Sequence, residues 1–296
     1  NLKKDYIGLE KTGQELLLVP EIADSKAGGE IRDILEKANF KKAQDLEKDG
    51  QIKESAIQFE AFALQNPKSD LAVTAMFNAA VNFEKSGDVA RAIPMYQKVV
   101  SNNSEKAKSL SPQIYQFLAK LYQNSSLYDE SIKNYKLAIQ ANPKDPLVAN
   151  YHYNVALMAD GMGRLSEAFQ NYSEFLNLTK RNSDKKETHF FIVEVSRKLG
   201  RRALAIENYE RYLAIGNVDD SRLADVLHHL SELHRDGSAD SEKYKSRIQA
   251  LYRRTKNPVA ARLAADLKLG ELKKSIAEYK SIRLPSDPNA QKKAVE

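Results

Sequence analysis

The sequence repeats one three-residue pattern six times. A serine or alanine is followed four residues later by an aromatic residue, and three residues after that by another apolar residue or alanine. Steps of four and three residues place three side chains on one face of a helix. The pattern therefore predicts a chain built mostly of repeated amphipathic helices. The six sets are Ser55/Phe59/Phe62, Ala92/Tyr96/Val99, Ser131/Tyr135/Ala138, Ala168/Tyr172/Phe175, Ala205/Tyr209/Tyr212 and Ser275/Tyr279/Ile282.

A turn signal lies five residues before each small residue. Apolar residues at helical spacing also precede these turns, as Met76, Ala80 and Phe83 do before Gly87. Glycine readily takes the left-handed backbone conformation that ends a helix, so each signal predicts a turn between two helices. The signals are Gly50, Gly87, Ser126, Gly163, Gly200, Gly237 and Gly270, with intervals of 37, 39, 37, 37, 37 and 33 residues.

The small residue in each set has a steric role. Two helices of a tight hairpin approach closely only where one side chain is small, and the aromatic residue one turn later fills the space towards the next hairpin. The set around Gly237 departs from the pattern, because Glu242 and Ser246 occupy the positions of the small and aromatic residues. We therefore expect a rotated or shifted second helix in that repeat.

Composition excludes several classes of site. The chain has no cysteine, which excludes disulfides, thiol catalysis and thiolate metal sites, and its apolar runs are too short for a membrane span. The net charge of +6 comes from basic doublets that alternate with acidic residues. This spread favours a solvated helical surface over a nucleic-acid-binding stripe. Because the chain begins with Asn, we expect it to be a processed or trimmed fragment.

Taken together, the repeats resemble tetratricopeptide repeats. The likeness rests on the apolar anchors Met76 and Tyr115, on small residues in the first helices, on the turn glycines and on the small/aromatic pairs. The resemblance implies an all-α fold, a right-handed α-solenoid of about seven helix-turn-helix repeats. It spans residues 36–284, after an N-terminal helical extension or partial repeat (1–35) and before a polar tail (285–296).

The resemblance also implies where a partner binds. In this family the first helices line a concave groove that holds segments of partner proteins. We expect the groove to bind a segment with an apolar face, and no small-molecule substrate. The predicted groove residues are Phe77, Asn78, Gln116, Phe117, Lys120, Tyr153, Asn154, Phe190, Phe191, Glu194, Arg197, Leu227 and His228. Packing of these aromatic residues against the adjoining second helices is an equally open interpretation.

Motifs for catalysis or cofactor binding are weak. Residues 228–234 contain three histidines, but His229 lies on the packing side of its helix while His228 and His234 lie on another, which disfavours one metal site. Residues 161–166, GMGRLS, lack the third glycine and the lysine of phosphate-binding loops. We therefore predict a non-catalytic protein without cofactor or metal.

Residues 55–100 are similar to bacterial cell-envelope members of the same family, which are assembly and scaffold proteins. The similarity implies a periplasmic or envelope-associated interaction scaffold, with a cytoplasmic location as the alternative. Two further functions stay open. One is a basic helical-repeat protein that binds nucleic acid, suggested by the sequence pI of about 9.1, and the other is a regulatory module of a larger enzyme.

Overall fold

The computed structural model describes residues 5–281, with the side chains of Tyr279 and Ser281 left out. Within that range the chain forms 15 α-helices and no strand, which confirms the predicted all-α repeat fold. The helices are α1 (Tyr6–Leu17), α2 (Pro20–Ala23), α3 (Lys26–Lys48), α4 (Ile52–Gln65), α5 (Ala72–Lys85), α6 (Val89–Val100), α7 (Glu105–Asn124), α8 (Tyr128–Ala141), α9 (Val148–Gly161), α10 (Leu165–Leu178), α11 (Asn182–Lys198), α12 (Arg202–Ile215), α13 (Asp220–Leu233), α14 (Ala239–Thr255) and α15 (Pro258–Ser281).

The chain divides into two compact units, Asn1–Gly161 and Met162–Glu296, which we call unit 1 and unit 2. In unit 1 the paired helices are α3/α4, α5/α6 and α7/α8, followed by α9. In unit 2 they are α11/α12 and α13/α14, with α15 packed against both α13 and α14. In the described part of the chain no helix is both long and apolar enough to cross a membrane.

The turns lie where the sequence predicts them at six of the seven positions. All six residues have positive φ, between 59° at Ser126 and 80° at Gly87. This left-handed conformation is unfavourable for residues other than glycine, which explains why five of the six positions are glycine. The five glycines are Gly50, Gly87, Gly163, Gly200 and Gly237.

Five of the six predicted sets are buried, from Ser55/Phe59/Phe62 to Ala205/Tyr209/Tyr212. The serines among them also bond across the hairpin. Ser55 Oγ donates to the Ala43 carbonyl at 2.7 Å, and Ser131 Oγ donates to the Ala119 carbonyl at 2.8 Å. A hydroxyl at the crossing is thus small enough for close approach and fully hydrogen-bonded, as a buried polar group must be.

The sixth set is the exception, and the predicted turn at Gly270 is wrong. Helix α15 runs without a break from Pro258 to Ser281 through Gly270, and Ser275 is exposed. The segment around Gly270 consists of leucine, lysine and glutamate, which have high helix propensity, so one glycine does not end the helix. Ile282 and the predicted tail, 285–296, lie outside the described residues.

The repeat at Gly237 is shifted, as expected. Its second helix, α14, buries Ser241, Tyr244 and Ile248 in place of the positions counted from Glu242. Ser241 Oγ donates to the Ser231 carbonyl at 2.9 Å, the same bond that Ser55 makes in its own hairpin. Rotation by one residue thus restores a small hydroxyl at the crossing.

Helix α1 packs against α3 at the N-terminal end of unit 1. Gly13 is buried against Leu35, where an added Cβ would meet the leucine Cδ2 at 2.7 Å. Tyr6 donates its hydroxyl to the buried carboxylate of Asp45 at 2.5 Å. The predicted boundary between residues 35 and 36 falls inside α3 and stays a prediction, as does the boundary at residue 284, outside the described residues.

Candidate functional site

The predicted groove aromatics of unit 1 pack on a tyrosine of the second helices. Tyr96 of α6 is buried, and its ring centroid lies 6.2 Å from that of Phe77 on α5 and 5.5 Å from that of Phe117 on α7. Phe77 and Phe117 also stack on each other at 6.5 Å, and both are half-buried. One edge of this three-ring cluster thus belongs to the core, while the two phenylalanines keep part of their surface open.

The other predicted groove residues of unit 1 differ in exposure and in the hydrogen bonds that they make within the fold. Asn78 and Gln116 are half-buried, and Lys120 is exposed. Asn154 donates through Nδ2 to the Tyr135 hydroxyl at 3.0 Å, so this predicted groove residue holds a core tyrosine in place. Tyr153, on the same helix, is half-buried.

Unit 2 repeats the arrangement with other residues. Phe190 on α11 is half-buried, with its ring 5.8 Å from that of Tyr212 on α12 and 6.4 Å from that of Phe191. Phe191 stacks on Tyr172 of α10 at 5.4 Å with an interplanar angle of 17°. The guanidinium of Arg222 lies 5.1 Å above the Phe190 ring, a cation–π contact that sequence reasoning missed.

Two of the predicted polar residues of unit 2 form an ion pair. Glu194 accepts a hydrogen bond from the Tyr209 hydroxyl at 3.3 Å, and Arg197 Nη2 lies 3.1 Å from the same carboxylate. Arg197 remains exposed, whereas Glu194 is half-buried between the two partners. Arg197 is therefore the more accessible side chain of the pair.

Leu227 is not a groove residue. Its side chain is only 1% exposed and belongs to the hydrophobic core of unit 2, on which Phe190 packs. The prediction placed Leu227 by its distance along the chain from Phe190. The structure shows that this register turns Leu227 inward and leaves its neighbour His228 half-buried, with Nε2 3.4 Å from Glu232 Oε1.

His228 also lines a cleft of about 400 Å³ between α13, α14 and α15. Within the cleft, Lys245 and Lys274 both pair with Asp236. The hydrogen bonds from the two lysines lower the pKa of Asp236 to about 2. Glu232, Asp266 and Glu271 also line the cleft, so its acidic side chains outnumber its two lysines.

The buried tyrosines of the second helices are structural donors. Burial, with the hydrogen bond to Glu84, raises the pKa of Tyr96 above its ordinary value. Burial also raises the pKa of Tyr135, against the hydrogen bond from Asn154 that lowers it, and the pKa of Tyr209, where Glu194 adds to the effect. These phenols stay neutral near neutral pH and serve to orient the first helices.

Within residues 5–281 no group of three or more His, Asp or Glu side chains is arranged to hold a metal ion.

Comparison with known proteins points to one family. Two family models, each described as tetratricopeptide repeat, match residues 40–107 and 112–145. No curated protein matches the sequence.

Several solved structures are similar to the chain at low sequence identity. PilF from Pseudomonas aeruginosa is 15% identical, with a TM-score of 0.37 over 81% of this chain and 99% of its own. MamA, from strain AMB-1, is 18% identical, with a TM-score of 0.44 over 62% of this chain and 92% of its own. BtubC from P. vanneervenii is 19% identical, with a TM-score of 0.39 over 79% of this chain and 89% of its own.

The likeness to this family rests on the matched segments and on the hairpins that they contain. Both segments lie in unit 1, and they contain the turns at Gly50, Gly87 and Ser126 with the buried sets that follow them. Residues 40–107 and 112–145 are therefore tetratricopeptide repeats.

Proposed function

We propose that this chain is a non-catalytic interaction scaffold that holds a segment of a partner protein against the first helices of its repeats. The observation that carries the proposal is the pair of half-buried aromatic rows, Phe77/Phe117 in unit 1 and Phe190/Phe191 in unit 2. The unit 1 row packs on the buried Tyr96, the unit 2 row packs on the buried Tyr212 and Tyr172, and each row stays partly exposed. Rigid aromatic side chains with open edges are typical anchors in protein interfaces, because they bind with little loss of conformational entropy.

The residues beside the rows suit a partner segment with an apolar ridge and few charges. Next to the unit 1 row lie Gln116 and Lys120, and next to the unit 2 row lies Arg197, whose guanidinium is already paired with Glu194. Such a frame can hydrogen-bond a peptide backbone without demanding a strongly charged partner.

The test is a comparison of three versions of the chain as bait. The groove variant carries Phe77→Ala and Phe117→Ala, and the matched control carries Leu64→Ala and Leu127→Ala, two exposed leucines of unit 1 outside this row. Proteins retained from native lysate are quantified by mass spectrometry. The dissociation constant of the leading partner is then measured with purified proteins, while circular dichroism checks that both variants fold.

We expect the groove variant to bind this partner about tenfold or more weakly, with the control unchanged. Equal affinity for all three proteins would place binding elsewhere on the surface.

We further propose that the scaffold works in the bacterial cell envelope. The support is the likeness of residues 55–100 to envelope members of the family and the absence of cysteine, which suits a chain exported without disulfides. Fractionation of native cells with an antibody against the chain tests this location. Detection in the cytoplasmic fraction alone would contradict it.

A further inference from the structure

Helix α15 carries an apolar stripe that no other part of the described chain covers. Ala265, Leu269, Leu272 and Ile276 follow one another at steps of four, three and four residues and are all exposed, Leu272 by 57%. The opposite side of the helix, with Ala260 and Leu263, packs into the core of unit 2. This spacing is that of a helix–helix contact seam, so α15 has one partnered and one open face.

The N-terminal end of unit 1 also concentrates exposed apolar side chains. Ile7 and Leu18 are 75% and 81% exposed and, eleven residues apart, lie on one face of α1 and its cap. Single exposed leucines are normal on a protein surface, but a concentration at one place marks a contact. The exposed large apolar residues in this segment are Ile7, Leu9, Leu16, Leu18, Val19 and Ile34.

The two ends have opposite charge. Residues 5–33 contain seven acidic and three basic residues, a net charge of −4, whereas residues 239–281 contain eleven basic and five acidic residues, a net charge of +6. Lys268 and Lys273 flank the α15 stripe and are exposed. Two copies of the stripe would bring these lysines together, whereas the acidic N-terminal segment complements them.

From these observations we infer that the chain assembles head to tail. The α15 stripe of one copy receives residues 5–34 of a second copy, in the place where a further helix would stack in a longer array. Inside a repeat array each hairpin covers its neighbour, so a terminal helix keeps one face to be covered. A contact between two different faces continues from copy to copy. It uses the ends and not the aromatic rows, and so is independent of the proposed function.

The experiment is sedimentation velocity of the purified, nuclease-treated chain from low to high micromolar concentration. One variant carries Leu269→Gln and Leu272→Gln, and a second carries Ile7→Gln and Leu18→Gln. Glutamine removes the apolar contact but keeps helix propensity, so α1 and α15 stay folded. The matched control carries Leu64→Gln and Leu178→Gln, two exposed leucines away from both ends. Circular dichroism of every variant confirms the helical content.

For the wild type and the control, we expect larger assemblies to form as the protein concentration increases. The dissociation constant should be about tenfold or more higher for each end variant. An equimolar mixture of the two end variants should stop at dimers, because one intact stripe meets one intact N-terminal segment. Raising the salt concentration should weaken assembly, because it screens the opposite charges.

Several results would overturn the inference. One is that the wild type stays monomeric at all concentrations. Another is that the Leu269/Leu272 variant still assembles. Loss of assembly in that variant alone, with the Ile7/Leu18 variant unchanged, would show that two α15 stripes pair with each other. Assembly seen only without nuclease treatment would show that nucleic acid bridges the copies.

Discussion

The segments around Gly87 and Gly270 carry the same turn signal but fold differently. At Gly87 the backbone takes φ = 80°, and Asp88 caps the next helix by accepting a hydrogen bond from the Arg91 N–H at 3.2 Å. The second helix then buries Ala92, Tyr96 and Val99 completely. The helix cap and the buried second helix therefore stabilise the sharp turn at Gly87.

After Gly270 the described residues provide none of this support. The next residues, Glu271, Leu272 and Lys273, have high helix propensity, and Ser275, the counterpart of Ala92, is exposed. A glycine inside a helix costs only about 1 kcal/mol relative to alanine, which the continuous helix tolerates. A glycine therefore permits a turn, while the burial of the second helix decides whether the turn forms.

The largest expected difference between the two segments is in packing. Ala92→Leu inserts a larger side chain where two helices cross with no free surface, so we expect the free energy of unfolding to fall by about 1–3 kcal/mol. Ser275→Leu adds the same bulk to an exposed position and should change it by no more than about 0.5 kcal/mol. Urea unfolding followed by circular dichroism measures both. Similar losses in the two variants would mean that the second segment also forms a packed hairpin.

Substitution of the two glycines should give effects of opposite sign. Gly87→Ala places a Cβ on a left-handed residue and should destabilise unit 1 by about 1–2 kcal/mol, although nothing lies within 4 Å of the added atom. Gly270→Ala should stabilise α15 by about 1 kcal/mol, because alanine is the better helix former and its Cβ meets no other atom. Thermal unfolding of the two variants and the wild type checks the signs. A destabilising Gly270→Ala would contradict the continuous helix.

Ser126 allows a finer version of the same comparison. It holds the turn position of its repeat with φ = 59°, where the other five turns have glycine. Ser126→Gly should therefore stabilise unit 1 by about 0.5–1 kcal/mol through relief of backbone strain. The control is Ser125→Gly, one residue earlier at φ = −90°, which should not stabilise. A gain in both variants would show that relief of backbone strain at residue 126 is not the cause of the stabilisation.

The hairpins were predictable from the sequence because packing at each crossing leaves a local trace. Ala92 and Tyr96 are four residues apart on one helix face, and the turn glycine lies a fixed distance before them. The shift at Ser241 was predictable in kind, since Glu242 cannot occupy a crossing. The exact register was not, because it depends on how Tyr244 packs against neighbouring helices.

The surface was harder to predict than the core. Leu227 and Phe190 occupy equivalent positions along the chain, yet Leu227 is buried and Phe190 is half-buried. Asn154 was predicted as a groove residue, and the sequence did not show that it also donates to the Tyr135 hydroxyl. Sequence spacing gives the face of a helix to within about a residue, and one residue turns a side chain by 100°.

The smallest expected effect is a dependence of stability on pH in unit 2. His189 on α11 in unit 2 is buried, and its Nδ1 has no hydrogen-bond partner among the described residues. Burial lowers the pKa of His189, Arg211 and Lys185 lower it further, and Asn208 acts in the opposite direction. As the pH falls below the ordinary histidine value of about 6.5, the unfolded chain binds the proton first. Unit 2 therefore keeps its full free energy of unfolding above that pH. This free energy decreases as the pH falls towards the pKa of His189 in the folded chain.

Hydrogen exchange read separately for the two units, at about pH 7 and about pH 5, measures this loss. After correction for the intrinsic exchange rates, amides of α11 and α12 should lose protection at the lower pH. The variant His189→Gln removes the titrating group, so the same amides should then respond less to pH than they do in the wild type. An unchanged response in His189→Gln would assign the acid sensitivity of unit 2 to other groups.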